Sequence, residues 1–291
     1  MRSFLARQAA RLVVGVSGAV LIAAVISAIG VPHGRGAASF LVAVLSRLTH
    51  LVEGDLGQSA ISGQPVWQVL GERVPATLTL VLEGAGLALV AGLPLGLLAT
   101  LGPARRAIAP LIQTIAATPL FCAGLALAYG AVHLLHWPVS VNTPMGSALS
   151  PDQALEIAAL PIVTVGFAGA AAVQLALRHS AAQASGEAFR IGLKRLGLGA
   201  FEIERRFILP QVMAGLVAAA GEIMLALLSA AVVAEWVFQR SGAADLFVKS
   251  VALADWNMAG IILFLFACLT FLAEFLGRVS GHMLASEGRT A

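Results

Sequence analysis

Apolar residues gather in six long stretches, over residues 12–31, 76–101, 108–135, 157–177, 212–238 and 258–277. A helix needs about 20 such residues to cross the roughly 30 Å hydrocarbon layer, so each stretch predicts a membrane-spanning helix. The first, third and fourth contain no Asp, Glu, Lys or Arg. The short alternating segments of a membrane barrel are absent from the pattern. The predicted fold is therefore an all-α polytopic membrane protein with six transmembrane helices.

The polar intervals divide the chain further. Residues 1–31 form a tail and first span, 32–75 an exterior segment, and 76–291 a five-helix body with a polar loop at 180–211. Within the exterior segment, residues 37–52 predict an amphipathic helix. Phe40, Leu41, Val44, Leu45, Leu48 and Leu51 share one face, with Arg47 and His50 off it. The second exterior loop, 136–156, is rich in Pro, Ser, Asn and Gly, and Ser150-Pro151-Asp152-Gln153 carries the chemistry of a helix start. Pro94 and Pro119 are expected to kink the second and third spans, and Gly84, Gly86, Gly92 and Gly96 to let helices approach closely.

Composition agrees with this division and adds orientation. Mean hydropathy is +0.90 and only 11% of residues are charged, against about a quarter in soluble domains. With the N-terminus inside, thirteen Lys and Arg fall in inside segments and five in outside ones. That bias predicts cytoplasmic N- and C-termini in a plasma (inner) membrane. It also accounts for the net charge of +3, so no nucleic-acid partner is implied. Arg2, Arg7 and Arg11 before an apolar run also suit a secretory signal, but that run exceeds the usual h-region of roughly 7–15 residues. A retained first span is expected. Cys122 and Cys268 each lie within a predicted span and read as small buried hydrophobes.

One polar island stands out. Residues 185–206 hold five of the 18 Lys and Arg: Arg190, Lys194, Arg195, Arg205 and Arg206. Phe189, Leu193 and Leu196 fall at helical spacing on one face. Gly197 and Gly199 then suit a helix C-terminus, and a second short helix over 200–207 places Glu202 and Glu204 before Arg205 and Arg206, the order that complements a helix dipole. Pro210 sits where a new helix can begin. Phe201 and Ile203 among charges suit docking into a groove on another protein; a solvated loop whose arginines only follow the inside bias is the alternative.

The spacing from Gly197 to Phe207-Ile208-Leu209-Pro210 resembles the cytoplasmic EAA loop of permease subunits in binding-protein-dependent ABC importers. Gly54-Asp55-Leu56-Gly57-Gln58-Ser59, Glu72-Arg73-Val74-Pro75-Ala76-Thr77-Leu78 and Gly92-Leu93-Pro94-Leu95-Gly96 are similar to the approach to, and break within, the second span of the oligopeptide, dipeptide and nickel subfamily. Val233-Ala234-Glu235-Trp236-Val237-Phe238 resembles the end of its fifth span. Two departures accompany the likeness: Ile191-Gly192-Leu193 stands where the Glu-Ala-Ala triplet is usual, with an earlier acid at Glu187, and Ser241-Gly242-Ala243-Ala244 replaces a Pro-Gly-Leu-Gly turn.

The resemblance implies a type I importer permease that pairs with a second permease, two cytosolic ATPases and an exterior solute-binding protein. It implies a small solute: a peptide, a nickel chelate or an opine-like compound. It also implies that Glu187, Arg190, Lys194, Gly197, Phe201, Ile203, Glu204, Arg205, Arg206 and Pro210 couple the chain to its ATPases, with Phe201 and Ile203 as apolar anchors. No Gly-x-x-x-x-Gly-Lys-[Ser/Thr], Gly-x-Ser-x-Gly or His-Glu-x-x-His occurs, so no enzyme activity or cofactor is expected on this chain, and ATP and Mg belong to the partner ATPase.

Ionisable groups in hydrocarbon cost about 2.5–3.5 kcal/mol on insertion scales, which singles out Glu83, Glu222 and Glu235 as translocation-pathway residues. For Glu83 and Glu222 the bland alternative is a hydrogen bond to a neighbouring helix; Glu235 lies near the outer end of its span, where interfacial solvation makes a charge cheaper. Glu274 is expected to pair with Arg278. His133 and His136 flank the third span, where ordinary boundary roles outweigh a metal site. An ion-coupled secondary transporter or channel using Glu83 and Glu222 is the competing class, and a membrane scaffold a third. The first of these predicts an internal repeat with paired broken helices, and the Gly-Pro break of the second span has no later counterpart.

Overall fold

The computed structural model describes residues 2–29, 37–101, 110, 114, 117–137, 151–184 and 186–287. Five of the described helical segments are long and apolar enough to cross a membrane: Ser3–Ile29, Val66–Thr100, Glu156–Ala184, Ala220–Val237 and Trp256–Ala285. The third expected span, 108–135, is described continuously only from 117, as the shorter apolar run Leu120–Leu135. In chain order the α-helices are α1 (Arg2–Ile29), α2 (Ala37–Val52), α3 (Val66–Leu87), α4 (Leu93–Thr100), α5 (Leu120–Gly130) and α6 (Pro151–Ala184). They continue as α7 (Glu187–Arg195), α8 (Ala200–Ile203), α9 (Leu209–Ala218), α10 (Ala220–Val237), α11 (Ala243–Ala252) and α12 (Trp256–Glu287).

The long helix α6 is the central post. α3, α4, α5, α9 and α10 all pack on it, while α1 runs along α12 at the other side of the bundle. Leu80, Val81, Val165, Leu227 and Ala231 fill the main core between α3, α6 and α10. Val173, Leu177, Val212 and Leu216 fill a second core towards the end where α6 stops and α9 begins. Close crossing of α3–α4 over α6 depends on small residues. A Cβ at Gly84, Gly92 or Gly96 would run into Val165, Ala170 or Leu177, whereas Gly86 faces open space.

Several expectations change in detail. The second membrane helix begins at Val66, well before residue 76, and carries Pro75 inside it. It is the tenth residue of that helix, where its missing N–H leaves the Gly71 carbonyl without its i→i−4 bond, and Thr79 Oγ1 donates to the Pro75 carbonyl at 2.8 Å. Further on, a π-helical turn at Ala88–Gly92 absorbs the break, so that Pro94 enters at the start of α4. Pro119 does not kink a helix: it precedes α5 with φ −55° and ψ 128°, an extended backbone. The fifth span is two helices, α9 and α10, broken at Ala219 (φ −84°, ψ 10°). Cys122 is exposed on this chain instead of buried.

Helix α2 spans the predicted residues, but its inner face is narrower than expected. Val44, with Phe40, Leu48 and Leu51, packs on Ala24 and Ala28 of α1, while Leu41 and Leu45 are exposed. After α2 the chain is tied to the beginning of α12. Ser59 Oγ donates to the buried Asp255 carboxylate, and Asn257 Nδ2 donates to the Leu56 and Gln58 carbonyls at 3.1 and 3.0 Å. Asp255 also accepts from the Met258 N–H at 3.2 Å. The Gly54–Ser59 motif thus docks on the start of α12, with Val66 and Leu70 packed on Met258 and Ile261 beneath it. Asp255→Ala strands the Ser59 hydroxyl and the Met258 N–H, at about 1–3 kcal/mol for each buried donor left unmade. Limited proteolysis of purified protein is expected to cut within residues 54–65 faster than in wild type.

Candidate functional site

The polar island folds as a rigid elbow. Gly186 (φ −52°, ψ 130°) turns the chain out of α6 and starts α7. At the other end the Gly197 N–H bonds to the Lys194 carbonyl at 3.0 Å, and the Leu198 N–H reaches the Leu193 carbonyl at 3.3 Å. This paired closure requires a left-handed residue, and Gly197 has φ 85°. A side chain there is disfavoured by about 1–2 kcal/mol. Leu193 and Leu198, on either side of the cap, both pack into the second core.

From Gly199 the chain rises through α8 and a π-helical turn at Glu204–Ile208 into α9, where Pro210 stands in the first turn. The two residues expected to anchor a partner, two positions apart on α8, point to opposite sides. Ile203 is only 2% exposed and packs with Leu177, Ile208 and Val212, so it fastens the elbow to this chain's own core. Phe201 is 77% exposed. Leu196 and Ile191 are exposed too, and the sequence pattern did not mark them as outward. Lys194, Arg195, Arg205 and Arg206 are exposed around them. The side chains of Glu187 and Arg190 lie outside the described residues, as does that of Phe189.

Ile203→Asp therefore has a different expected outcome from a change at Phe201. Burying a carboxylate against Leu177 and Val212 is expected to cost about 3–5 kcal/mol. The variant should accumulate poorly in membranes and unfold at lower temperature, read by thermal unfolding in detergent.

The three intramembrane acids occupy unlike places. Glu235 is fully buried. Its Oε1 accepts from Thr77 Oγ1 at 2.6 Å and its Oε2 from the Asp245 N–H at 2.8 Å. Thr77 Oγ1 in turn accepts from the Ala243 N–H at 2.8 Å. Thr77 on α3, Glu235 on α10 and the first turn of α11 are thereby clasped together. A Cβ at Gly242 would overlap the Glu235 carboxylate, which explains why glycine is kept in a turn that otherwise departs from the family pattern. The expectation that Glu235 borders a path gives way to this clasp, because both oxygens are turned inward and engaged.

Glu222 is exposed at the start of α10. It borders a cavity of about 570 Å³ between α10 and α12, lined also by Ser229, Phe266, Thr270 and Glu274. On its other side lies a cavity of about 580 Å³ against α5 and α6, lined by Thr118, Phe167, Gln174 and Arg178. Gln174 is buried and its Nε2 has no hydrogen-bond partner. Glu83 is exposed on α3 beside Leu82 and lines neither cavity. Glu274 Oε1 accepts from Arg278 Nε at 2.8 Å, as their spacing implies. His133 lies against the Tyr129 ring, 4.3 Å between centroids, and His136 ends the helix with φ 56°. Among the described residues no three His, Cys, Asp or Glu side chains gather as metal ligands.

Comparison with known proteins follows these features. The putrescine export system permease protein SapB of Escherichia coli K12 is 26% identical over 260 residues, covering 80% of each chain. The oligopeptide transport system permease protein OppB of Mycobacterium tuberculosis H37Rv is 26% identical over 257 residues, covering 80% of this chain and 75% of its own. Among solved structures, the inward-facing MetNI methionine ABC transporter matches with a TM-score of 0.55 at 16% identity. That match covers 76% of this chain and 98% of the other, and it bears on the fold alone. The model of the binding-protein-dependent transport system inner membrane component family matches residues 88–285. That stretch holds the glycine-proline break, both cavities, the elbow and, apart from Thr77, the Glu235 clasp, and on it the chain belongs to this family, as a membrane-spanning permease subunit of a binding-protein-dependent ABC importer.

Proposed function

We propose that the elbow at residues 186–210 is the coupling element through which two cytosolic ATPases drive this permease, which pairs with a second permease around one translocation path. The observation carrying this reading is the division of labour between Phe201, exposed at 77%, and Ile203, exposed at 2%. An exposed apolar side chain on a segment that also exposes Lys194, Arg195 and Arg205 suits a groove on a partner. The buried base transmits displacement directly into α6 and α9, because a packed core moves as a unit. ATP and Mg are held by the partner chains, which close and open while this chain rocks; coupling follows only if the elbow docks differently in the two states.

The elbow, the start of α1 and the end of α12 share one end of the bundle, since Phe4 stacks on His282 with ring centroids 4.1 Å apart. With the excess of basic residues there, that end is cytoplasmic and both termini are inside. Solute arrives from an exterior binding protein at the opposite end, near the Gly54–Ser59 dock. The relatives named for peptide and oligopeptide transport support a small peptide-like cargo. Glu222, between two cavities, is the pathway acid best placed to meet it.

A single cysteine at Phe201, in the reconstituted complex, tests the docking. Cross-linking to an ATPase subunit that changes with vanadate trapping, together with vanadate-sensitive uptake into vesicles, is the expected result. Solute flux without nucleotide would instead favour ion coupling, and an elbow bare of any ATPase neighbour through the cycle would sink the proposal.

A further inference from the structure

A cavity of about 510 Å³ opens at the elbow end of the bundle, between the start of α1, the end of α6, the start of α9 and the end of α12. Its polar lining contains Arg206, Arg278 and His282 together with Gln8 and Gln183, and among the described residues no Asp or Glu lines it. The other wall is apolar, with Phe4, Phe207 and Leu284. Gln8 is only 7% exposed and lines the cavity. Stacking on Phe4 holds the His282 ring in place. Arg278 gives its Nε to Glu274, so that cation is shared, whereas Arg206 sits over the Phe207 ring at 6.0 Å.

We propose that this cavity binds the phosphate-bearing headgroup of an anionic phospholipid from the same leaflet. Two guanidinium groups and an imidazole beside the buried Gln8 amide, with no acid among the described lining residues, form an anion site. The apolar wall distinguishes a lipid from a free anion, because Phe4, Phe207 and Leu284 offer a surface that an acyl chain covers and inorganic phosphate does not. Arg206 belongs to the elbow and His282 to the last helix. A lipid held by both ties the elbow to the end of α12 and makes its freedom depend on membrane composition.

The test uses the protein with its co-extracted chains in phosphatidylcholine nanodiscs containing a minority of phosphatidylglycerol. Retained lipid is read by native mass spectrometry, and affinity by displacement of a labelled phosphatidylglycerol. Wild type is expected to retain phosphatidylglycerol in preference to phosphatidylcholine. Arg206→Gln should weaken it about fivefold, the effect of one base near an anionic membrane surface. Gln183→Glu, which adds a charge to an exposed position without removing packing, should weaken it by a similar factor. Arg195→Gln, an exposed base outside the cavity, should leave it unchanged, and a preserved elution volume and melting temperature show that each variant is folded. Undiminished retention in both cavity variants overturns the site. So does an equal loss in Arg195→Gln, which reports surface potential alone, or complete displacement of the lipid by inorganic phosphate, which reports a free-anion site.

Discussion

Glu235→Ala is expected to lower the melting temperature of the purified protein by on the order of 10 °C and to reduce its abundance in membranes. Thr77 Oγ1 already accepts from the Ala243 and Ala244 N–H groups, so its one proton is committed to Glu235 Oε1. Removing the carboxylate leaves that hydroxyl and the Asp245 N–H without acceptors inside the protein. Each buried unmade hydrogen bond costs about 1–3 kcal/mol, and the cavity left by the side chain adds to it. Glu235→Gln keeps the shape but turns an NH2 donor towards one of two donors, so an intermediate loss is expected. Gly242→Ala should approach the alanine variant in severity, because its methyl would occupy the position of the carboxylate. Thermal unfolding in detergent decides the matter. An unchanged melting temperature for Glu235→Ala would show that the clasp contributes nothing, whereas a stable protein that fails only in uptake would return Glu235 to the solute path.

Phe201→Asp is expected to have the opposite profile. The ring is largely exposed, and surface substitutions usually change stability by no more than about 0.5 kcal/mol. Insertion, abundance and melting temperature should therefore match wild type. If the ring fills a groove on an ATPase, its loss removes a central aromatic contact of about 2 kcal/mol or more, a roughly thirtyfold weakening. Solute-stimulated ATP hydrolysis and uptake in the reconstituted complex should then fall together. Uptake at the wild-type rate would refute the docking role. The pair Phe201→Asp and Ile203→Asp is informative because the two positions are neighbours on one short helix, yet one should damage coupling and the other folding.

Hydropathy made the membrane class legible, because a helix in hydrocarbon must be apolar over its whole length and that requirement is written locally. The extent of α2 was readable for the same local reason, and so was the cap at Gly197, where a left-handed residue is needed. The family likeness also rested on local runs, above all Gly197 to Pro210 and the Gly92–Gly96 break, and the family match from residue 88 onward contains both.

What local pattern left open was the facing of polar groups. Glu83, Glu222 and Glu235 are equivalent as acids in apolar runs, and nothing in their neighbourhoods distinguishes them. Only packing does so, by bringing Thr77 and the first turn of α11 to Glu235, from 158 and about ten residues away, and leaving Glu222 between two cavities. Asp255 escaped notice because its partner Ser59 is 196 residues distant. Phe201 and Ile203 could not be told apart either: both are apolar residues of one short helix, and only its packing on α6 and α9 decides which side is buried. By itself, then, the sequence determined the solvent each segment requires and where the chain turns. The tertiary structure alone decided which polar atoms find partners, because a hydrogen bond depends on positions in space that residues far apart in the chain reach only after folding.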